Sequence, residues 1–136
     1  MMGGEARQGQ DARTLGAAQI RALAALASRK PCACTRLSLD AWTRLPLSFP
    51  EERMLMVGTL GRREEVDPTL YEFHPEGTNY WSEDAPIAPR FFPYNRCEVL
   101  QCQDCQRCFL SYSEYGGYYV ERRIRAVAAH LVVDSL

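Results

Sequence analysis

The sequence predicts an α+β fold in which one N-terminal helix precedes a mostly antiparallel sheet. An alanine-rich amphipathic segment lies near the N-terminus, short apolar segments follow between prolines and glycines, and the last third alternates around a Gly-Gly turn. The sheet is expected to end in a cysteine-rich turn and a β-hairpin. The length of 136 residues allows one domain with its own core. We expect a single domain over residues 13–136 after a disordered tail, residues 1–12.

The helix is predicted over residues 13–29. Alanine is abundant there, and Ile20, Leu23 and Ala27 fall on one face of a helix. Pro31 is expected to end it, because the residue before a proline disfavours the helical region of backbone space.

The middle of the chain predicts short elements. Residues 32–39 alternate as a strand does, residues 39–45 follow a capping serine and predict a short helix, and residues 53–60 predict a buried strand. The charged residues 62–67 predict a loop, and residues 69–74 a further short strand.

Residues 75–96 form the longest irregular segment. Four prolines exclude a helix or an inner strand. Its aromatic content argues against disorder, so we expect an ordered loop over the core. Aromatic side chains also dominate binding surfaces, and we therefore expect a protein partner to contact residues 79–95. The aromatic residues of this loop are Tyr80, Trp81, Phe91, Phe92 and Tyr94.

The last third of the chain gives the clearest pattern. Strands are predicted over residues 96–101, 107–113 and 118–125, with a short final strand at 131–133. Residues 114–117, with sequence EYGG, predict a hairpin turn in which the glycines supply positive φ.

The six cysteines are the most informative residues of the chain. An arginine, Arg21, interrupts the apolar N-terminal segment, so we expect no signal peptide. No apolar run approaches the ~20 residues of a membrane span, and we expect a cytoplasmic protein without membrane contact. In a reducing compartment, clustered cysteines bind a metal ion or take part in redox reactions more often than they form disulfides. In an oxidising compartment, three disulfides become the alternative. Four lie within twelve residues, Cys97, Cys102, Cys105 and Cys108, and two form the pair Cys32 and Cys34.

The order of elements around Cys102-Gln103-Asp104-Cys105 resembles a zinc ribbon. In that architecture a strand enters a C-x-x-C knuckle and a β-hairpin follows, as the segments CFLSYS, EYGG and YYVERRI do here. Two intervening residues let a tight turn direct both sulfurs at one ion ~2.3 Å away. The residue after the second knuckle cysteine is often glycine, whereas Gln106 is found here. The resemblance covers the C-terminal part of the chain and identifies no particular family.

A closed zinc site needs four ligands, and the knuckle supplies two of them, Cys102 and Cys105. Cys32 and Cys34 are expected to complete it, because residues i and i+2 of a strand point to the same side. The metal is then structural Zn²⁺, with iron as the alternative since four thiolates bind either ion. The alternate ligands are His74, Cys97 and Cys108, and for both cysteines packing in the core is the expected role.

Two iron–sulfur spacings are alternatives to the zinc site. Cys97, Cys102 and Cys105 have the plant-type [2Fe–2S] spacing, but the residues between the first two predict a strand and no later cysteine completes the set. Cys102, Cys105 and Cys108 begin a bacterial ferredoxin pattern, but Tyr112 stands where the fourth cysteine is needed. A thiol-redox role is disfavoured because a strand, and not a helix N-terminus, follows the C-x-x-C.

These features predict a non-enzymatic zinc-binding module that contacts a protein partner. Nucleotide-binding and acyl-transfer motifs are absent from the sequence. A metal–thiolate electron carrier or small metalloenzyme is the alternative. A nucleic-acid-binding ribbon is the third hypothesis, disfavoured by the net charge of −1. Its stacking and phosphate-binding residues would be Tyr112, Tyr115, Tyr118 and Tyr119 with Arg107, Arg122, Arg123 and Arg125.

Overall fold

The computed structural model describes residues 13–61 and 69–134, and it agrees with the predicted α+β class. The predictions for residues 1–12 and 62–67 concern parts of the chain outside the described residues. The elements are α1 (Ala17–Ala24), β1 (Thr43–Arg44), β2 (Met54–Thr59), β3 (Glu98–Cys102), β4 (Cys108–Gly116) and β5 (Tyr119–Ala126). The strands form a five-stranded antiparallel sheet with the order β1-β5-β4-β3-β2.

Helix α1 is much shorter than the predicted 13–29. It buries Ile20 and packs Leu23 against the hydrophobic core, as the periodicity indicates. It ends five residues earlier than predicted, so Ala27 lies beyond the helix and is exposed. Beyond it, the Ser28 amide donates a hydrogen bond to the Cys105 carbonyl at 2.6 Å. This long-range bond takes the chain away from the helix axis, so the helix prediction was wrong at both ends.

The strand predicted over residues 32–39 is instead a 3₁₀ turn, Ala33–Arg36. The Thr35 hydroxyl stabilises this turn: it accepts from the Cys32 amide at 3.1 Å and donates to the Cys32 carbonyl at 2.7 Å. A side chain that closes a turn on its own backbone competes with strand pairing, which local alternation of residue types does not reveal.

The helix predicted over residues 39–45 is also wrong. Thr43 pairs with Ile124 and Arg44 with Arg123, so this segment forms the edge strand β1. The neighbouring Trp42 is only 3% exposed. Its indole N–H donates to the Tyr94 hydroxyl at 3.2 Å, and burial of this large ring decides the backbone path.

Two further strand predictions need correction. Residues 69–74 form no strand: the Tyr71 carbonyl accepts from the Phe92 amide at 2.8 Å, so the segment bonds to the loop and not to the sheet. Residues 131–133 make one parallel bridge, Ile87 with Val132. The strand predicted over residues 53–60 is present as β2, but it lies at the sheet edge with half-exposed side chains such as Leu55.

The predicted hairpin is present, with a shorter turn. Gly116 pairs with Tyr119, which leaves Gly117 and Tyr118 as the connection, and neither glycine has a positive φ. A Cβ at Gly116 would lie 2.2 Å from the Tyr119 ring. The glycine is therefore needed for space beside an aromatic ring and not for backbone freedom.

The sheet carries a core on each face, because successive side chains of a strand point to opposite sides. The first core includes Val99 and Leu110 and receives α1. The second includes Leu100 and Phe109 and receives Cys34. The loop over residues 75–96 is ordered, as predicted, and its residues 85–89 are buried.

Candidate metal centre

Four cysteines converge at one end of the second core. The Sγ atoms of Cys32, Cys34, Cys102 and Cys105 all lie within 4.8 Å of one another. Across the two chain segments, Cys32 Sγ is 3.7 Å from Cys102 Sγ and Cys34 Sγ is 3.2 Å from Cys105 Sγ. A tetrahedral ion with ligand distances of ~2.3 Å separates its sulfurs by about 3.8 Å. The arrangement can therefore hold a metal ion after small adjustments of the side chains.

The first half of the site is a tight turn between β3 and β4. Cys102 ends β3, and the Gln106 amide returns to the Cys102 carbonyl at 2.9 Å. The Asp104 amide donates to Cys102 Sγ at 3.4 Å. Gln106 adopts φ +67, the left-handed region that glycine enters most easily. The turn therefore holds a non-glycine residue in a backbone conformation that favours glycine, at the position after the second knuckle cysteine where glycine is often found.

The second half of the site is the 3₁₀ turn after Cys32. Cys32 and Cys34 do not lie on a strand, yet the turn directs both sulfurs to the same place. The Cys34 backbone hydrogen-bonds the Cys32 sulfur and lowers the pKa of that thiol. The expected pair of residues is thus brought to the knuckle by a different local structure from the one predicted.

Arg107 fastens this second half to the sheet. Its guanidinium donates to the carbonyl oxygens of Cys34 at 2.8 Å, Leu37 at 2.9 Å and Ser38 at 2.5 Å. The sequence interpretation assigned Arg107 to nucleic-acid contact and missed this role. Its position two residues after Cys105 was the only local signal, because its acceptors are about seventy residues away in sequence.

Burial sets the electrostatics of the site. It raises the pKa of Cys34, which is fully buried in the protein, and of Cys105, where a hydrogen bond from the Arg107 backbone only partly opposes it. Cys32 is the most exposed of the four thiols. A divalent cation between the sulfurs reverses such upward shifts, since a coordinating thiol is deprotonated outright. The donor set therefore suits a soft metal ion.

The alternate ligands lie elsewhere. Cys97 and Cys108 belong to the first core, where Cys97 Sγ donates to the Pro93 carbonyl at 3.3 Å and burial raises the pKa of Cys108 to about 12. His74 Nε2 lies 2.5 Å from a Glu72 carboxylate oxygen. Among the described residues, the candidate metal cluster contains none of the three. Each iron–sulfur spacing requires Cys97 or Cys108, so the geometry disfavours both.

The hairpin residues proposed for nucleic acid serve mainly in packing and ion pairs. Tyr112 and Arg125 are buried, Arg122 pairs with Glu51, and Arg123 pairs with Glu121 at 2.9 Å. With Arg107 bound to carbonyl oxygens, each of the four arginines is engaged within the protein. Exposed tyrosines remain at the end of the hairpin, namely Tyr115, Tyr118 and Tyr119.

Comparison of the chain with known protein families, with curated proteins and with solved structures finds no match. Within the described part of the chain, no helix has the length and apolar character needed to cross a bilayer.

Proposed function

We propose that the chain is a small zinc-binding protein in which a structural four-cysteine site supports a protein-interaction surface. The observation that carries this proposal is the convergence of four sulfurs within 4.8 Å of one another. The order of β3, the C-x-x-C turn and the β4–β5 hairpin supports a ribbon-like site.

The proposed metal role is structural because four thiolates complete a tetrahedral shell. A catalytic zinc site keeps one position open for water or substrate, and four converging cysteines favour a closed site instead. The sulfur–sulfur contacts across the site bring together Cys32 with Cys102 and Cys34 with Cys105, which are 70 and 71 positions apart in the chain. Binding free energy at such a site is folding free energy, because the unfolded chain does not preform it.

The interaction role rests on the exposed first part of the long loop. Residues 85–89 of the loop are buried, but Trp81 in the preceding segment, residues 79–84, is 57% exposed. Tryptophan and tyrosine are enriched among the residues that contribute most to binding at protein interfaces. We therefore propose that the partner contacts the 79–84 part of the predicted 79–95 surface.

Elemental analysis of the purified protein, with a thiol count after denaturation, tests the metal proposal. We expect one zinc per chain and six free thiols. Iron, which gives a red or brown protein with thiolate ligands, would replace the structural-zinc proposal with electron transfer. Absence of metal together with fewer than six thiols would indicate disulfides and overturn it.

A pair of matched substitutions tests the ligand set. Cys102→Ser is expected to abolish stoichiometric zinc binding and to lower stability strongly, because it removes a ligand. Cys108→Ser is the control: this thiol is equally buried but lies in the first core, and its variant should keep the zinc. Loss of zinc in both variants would show that the ligand set is wrong.

A further inference from the structure

A second site lies on the sheet face that carries the first core, whereas the cysteines belong to the second. It is a cleft of about 420 Å³ between the long loop and the β4–β5 hairpin. Aromatic rings from both elements line it, and two carboxylates from different segments flank them. The lining residues used below are Glu72, Tyr80, Trp81, Glu114, Tyr119 and Arg123.

The inner wall of the cleft already holds a cation against aromatic rings. The Arg123 guanidinium lies 5.5 Å from the Tyr80 ring centroid and 5.1 Å from that of Trp81. Both distances are within the ≈ 6 Å range of cation–π attraction. The walls of this cleft therefore provide the electrostatic environment that a positive group prefers.

The charge balance of the cleft is negative although Arg123 is part of it. Among the lining residues, the carboxylates of Glu72 and Glu114 outnumber the single guanidinium, that of Arg123. Arg123 pairs with Glu114 at 3.5 Å and with Glu121, which lies outside the lining, at 2.9 Å. A Glu72 carboxylate oxygen also lies 2.5 Å from His74 Nε2. This balance repels a phosphate backbone and favours a cation, because like charges in a partly desolvated site are unfavourable.

The outer part of the cleft leaves aromatic surface open to solvent. Trp81 is 57% exposed and Tyr119 is 56% exposed. The faces of such rings carry negative potential. An incoming cation can therefore contact Trp81 and Tyr119 without displacing Arg123 from its pairs with the carboxylates.

We propose that this cleft binds the side-chain ammonium group of a lysine in a basic segment of a protein partner. The proposal rests on the interaction role given above and names the chemistry of the partner. It is independent of the metal site, since no lining residue is one of the four cysteines. Aromatic rings contact the alkyl stem of the lysine, and Glu72 and Glu114 attract its charge.

Titration of the zinc-loaded protein with short peptides, followed through indole N–H signals in NMR spectra, tests the proposal. The chain has two tryptophans, and Trp42 is buried while Trp81 lines the cleft, so their signals report separately. Peptides that differ only in a central lysine, norleucine or glutamate serve as probes. We expect the lysine peptide to shift the Trp81 signal at a lower peptide concentration than the other two peptides do. This shift should weaken as the salt concentration is raised.

Equal shifts by norleucine would overturn the proposal, because the alkyl chain alone would then explain binding. Preference for glutamate or for an oligothymidylate would also overturn it, as would a Trp81 signal that no peptide moves in the zinc-loaded protein. Choline binding without lysine-peptide binding would assign the cleft to a free small cation and would likewise contradict a protein partner.

Variants of the cleft complete the test. Trp81→Ala and Glu114→Gln are each expected to weaken lysine-peptide binding by about fivefold or more. Binding to Glu114→Gln is followed through the Trp81 indole signal. Binding to Trp81→Ala, which lacks that indole, is followed through backbone amide signals. Tyr118→Ala is the matched control, since that ring is fully exposed and outside the cleft. Zinc content is measured on every variant and on the parent protein. If the parent protein contains zinc but binds no lysine peptide, only the proposal for the cleft is refuted. If the parent protein contains no zinc, only the metal proposal is refuted.

Discussion

Arg125 offers the sharpest test of how this fold is held together. Its side chain is fully buried, and within the described residues no carboxylate pairs with it. The guanidinium donates instead to carbonyl oxygens of Asp40 at 3.1 Å, Glu83 at 3.0 Å and Ala85 at 2.8 Å, and to the Tyr94 hydroxyl at 2.5 Å. One side chain of β5 thereby fixes two loops on the sheet.

The expected effect of Arg125→Met follows from those acceptors. A buried acceptor left without a donor costs about 1–3 kcal/mol. This applies in full to the Ala85 carbonyl oxygen, whereas the carbonyl oxygens of the exposed residues Asp40 and Glu83 lie at partly buried positions and cost less. Removing a buried charge offsets part of this, because its desolvation opposes folding by several kcal/mol. We expect the free energy of unfolding to fall by about 2–4 kcal/mol, a large part of the total of about 5–15 kcal/mol that is typical of domains.

Urea denaturation of the purified protein, followed by circular dichroism, measures the effect. Arg44→Met is the control, because that side chain is 78% exposed and pairs with Glu121 at 3.4 Å; it should cost less than about 1 kcal/mol. Arg125→Lys keeps the charge but presents one nitrogen to acceptors on two loops, so its stability should be intermediate. Equal stabilities of the two methionine variants would refute the reasoning.

Two further predictions concern backbone geometry. Gly61→Ala places a Cβ 1.9 Å from the Asn95 carbonyl oxygen and should lower the free energy of unfolding by about 1–3 kcal/mol. Gly117→Ala is the control: a Cβ there meets no heavy atom within 4 Å, and the free energy of unfolding should change by less than about 0.5 kcal/mol. Similar losses for both variants in thermal or urea unfolding would contradict the prediction, because the close approach at Gly61 would then be relieved. Gln106→Gly should raise the free energy of unfolding by about 0.5 kcal/mol, since it relieves the left-handed backbone at φ +67. Gln103→Gly in the same turn should lower the free energy of unfolding by about 0.5–1 kcal/mol. A change of the same sign in both variants would contradict the role given to the backbone angle φ.

The parts of the fold that sequence predicted well depend on local patterns. The hairpin of β4 and β5 alternates over many residues, and the C-x-x-C turn lies directly before it. Strand alternation and turn spacing are properties of neighbouring residues, so they can be read without knowledge of distant contacts. The same holds for the ordered long loop, whose prolines exclude regular structure.

The segment over residues 32–45 could not be predicted in this way. Its strand and helix patterns are both plausible locally, yet Thr35 closes a turn, Trp42 enters the core and Thr43 pairs with β5. Tertiary packing overrides weak local propensity wherever a large ring or a sheet edge must be satisfied. The arginines illustrate the same limit: composition reveals positive charge but not that Arg107 and Arg125 donate to carbonyl oxygens.

The sequence by itself determined the α+β class, the C-terminal hairpin and the chemistry of a cysteine-rich site, because residue type and short spacing carry that information. The sequence already indicated which four cysteines meet, but only the tertiary structure decided how they meet: a 3₁₀ turn, and not a strand, brings Cys32 and Cys34 to the C-x-x-C turn across about seventy residues, while Cys97 and Cys108 lie in the other core. It also created the aromatic cleft, whose walls come from separate segments. Loop closure and packing over such separations depend on the whole chain and leave no local pattern to read.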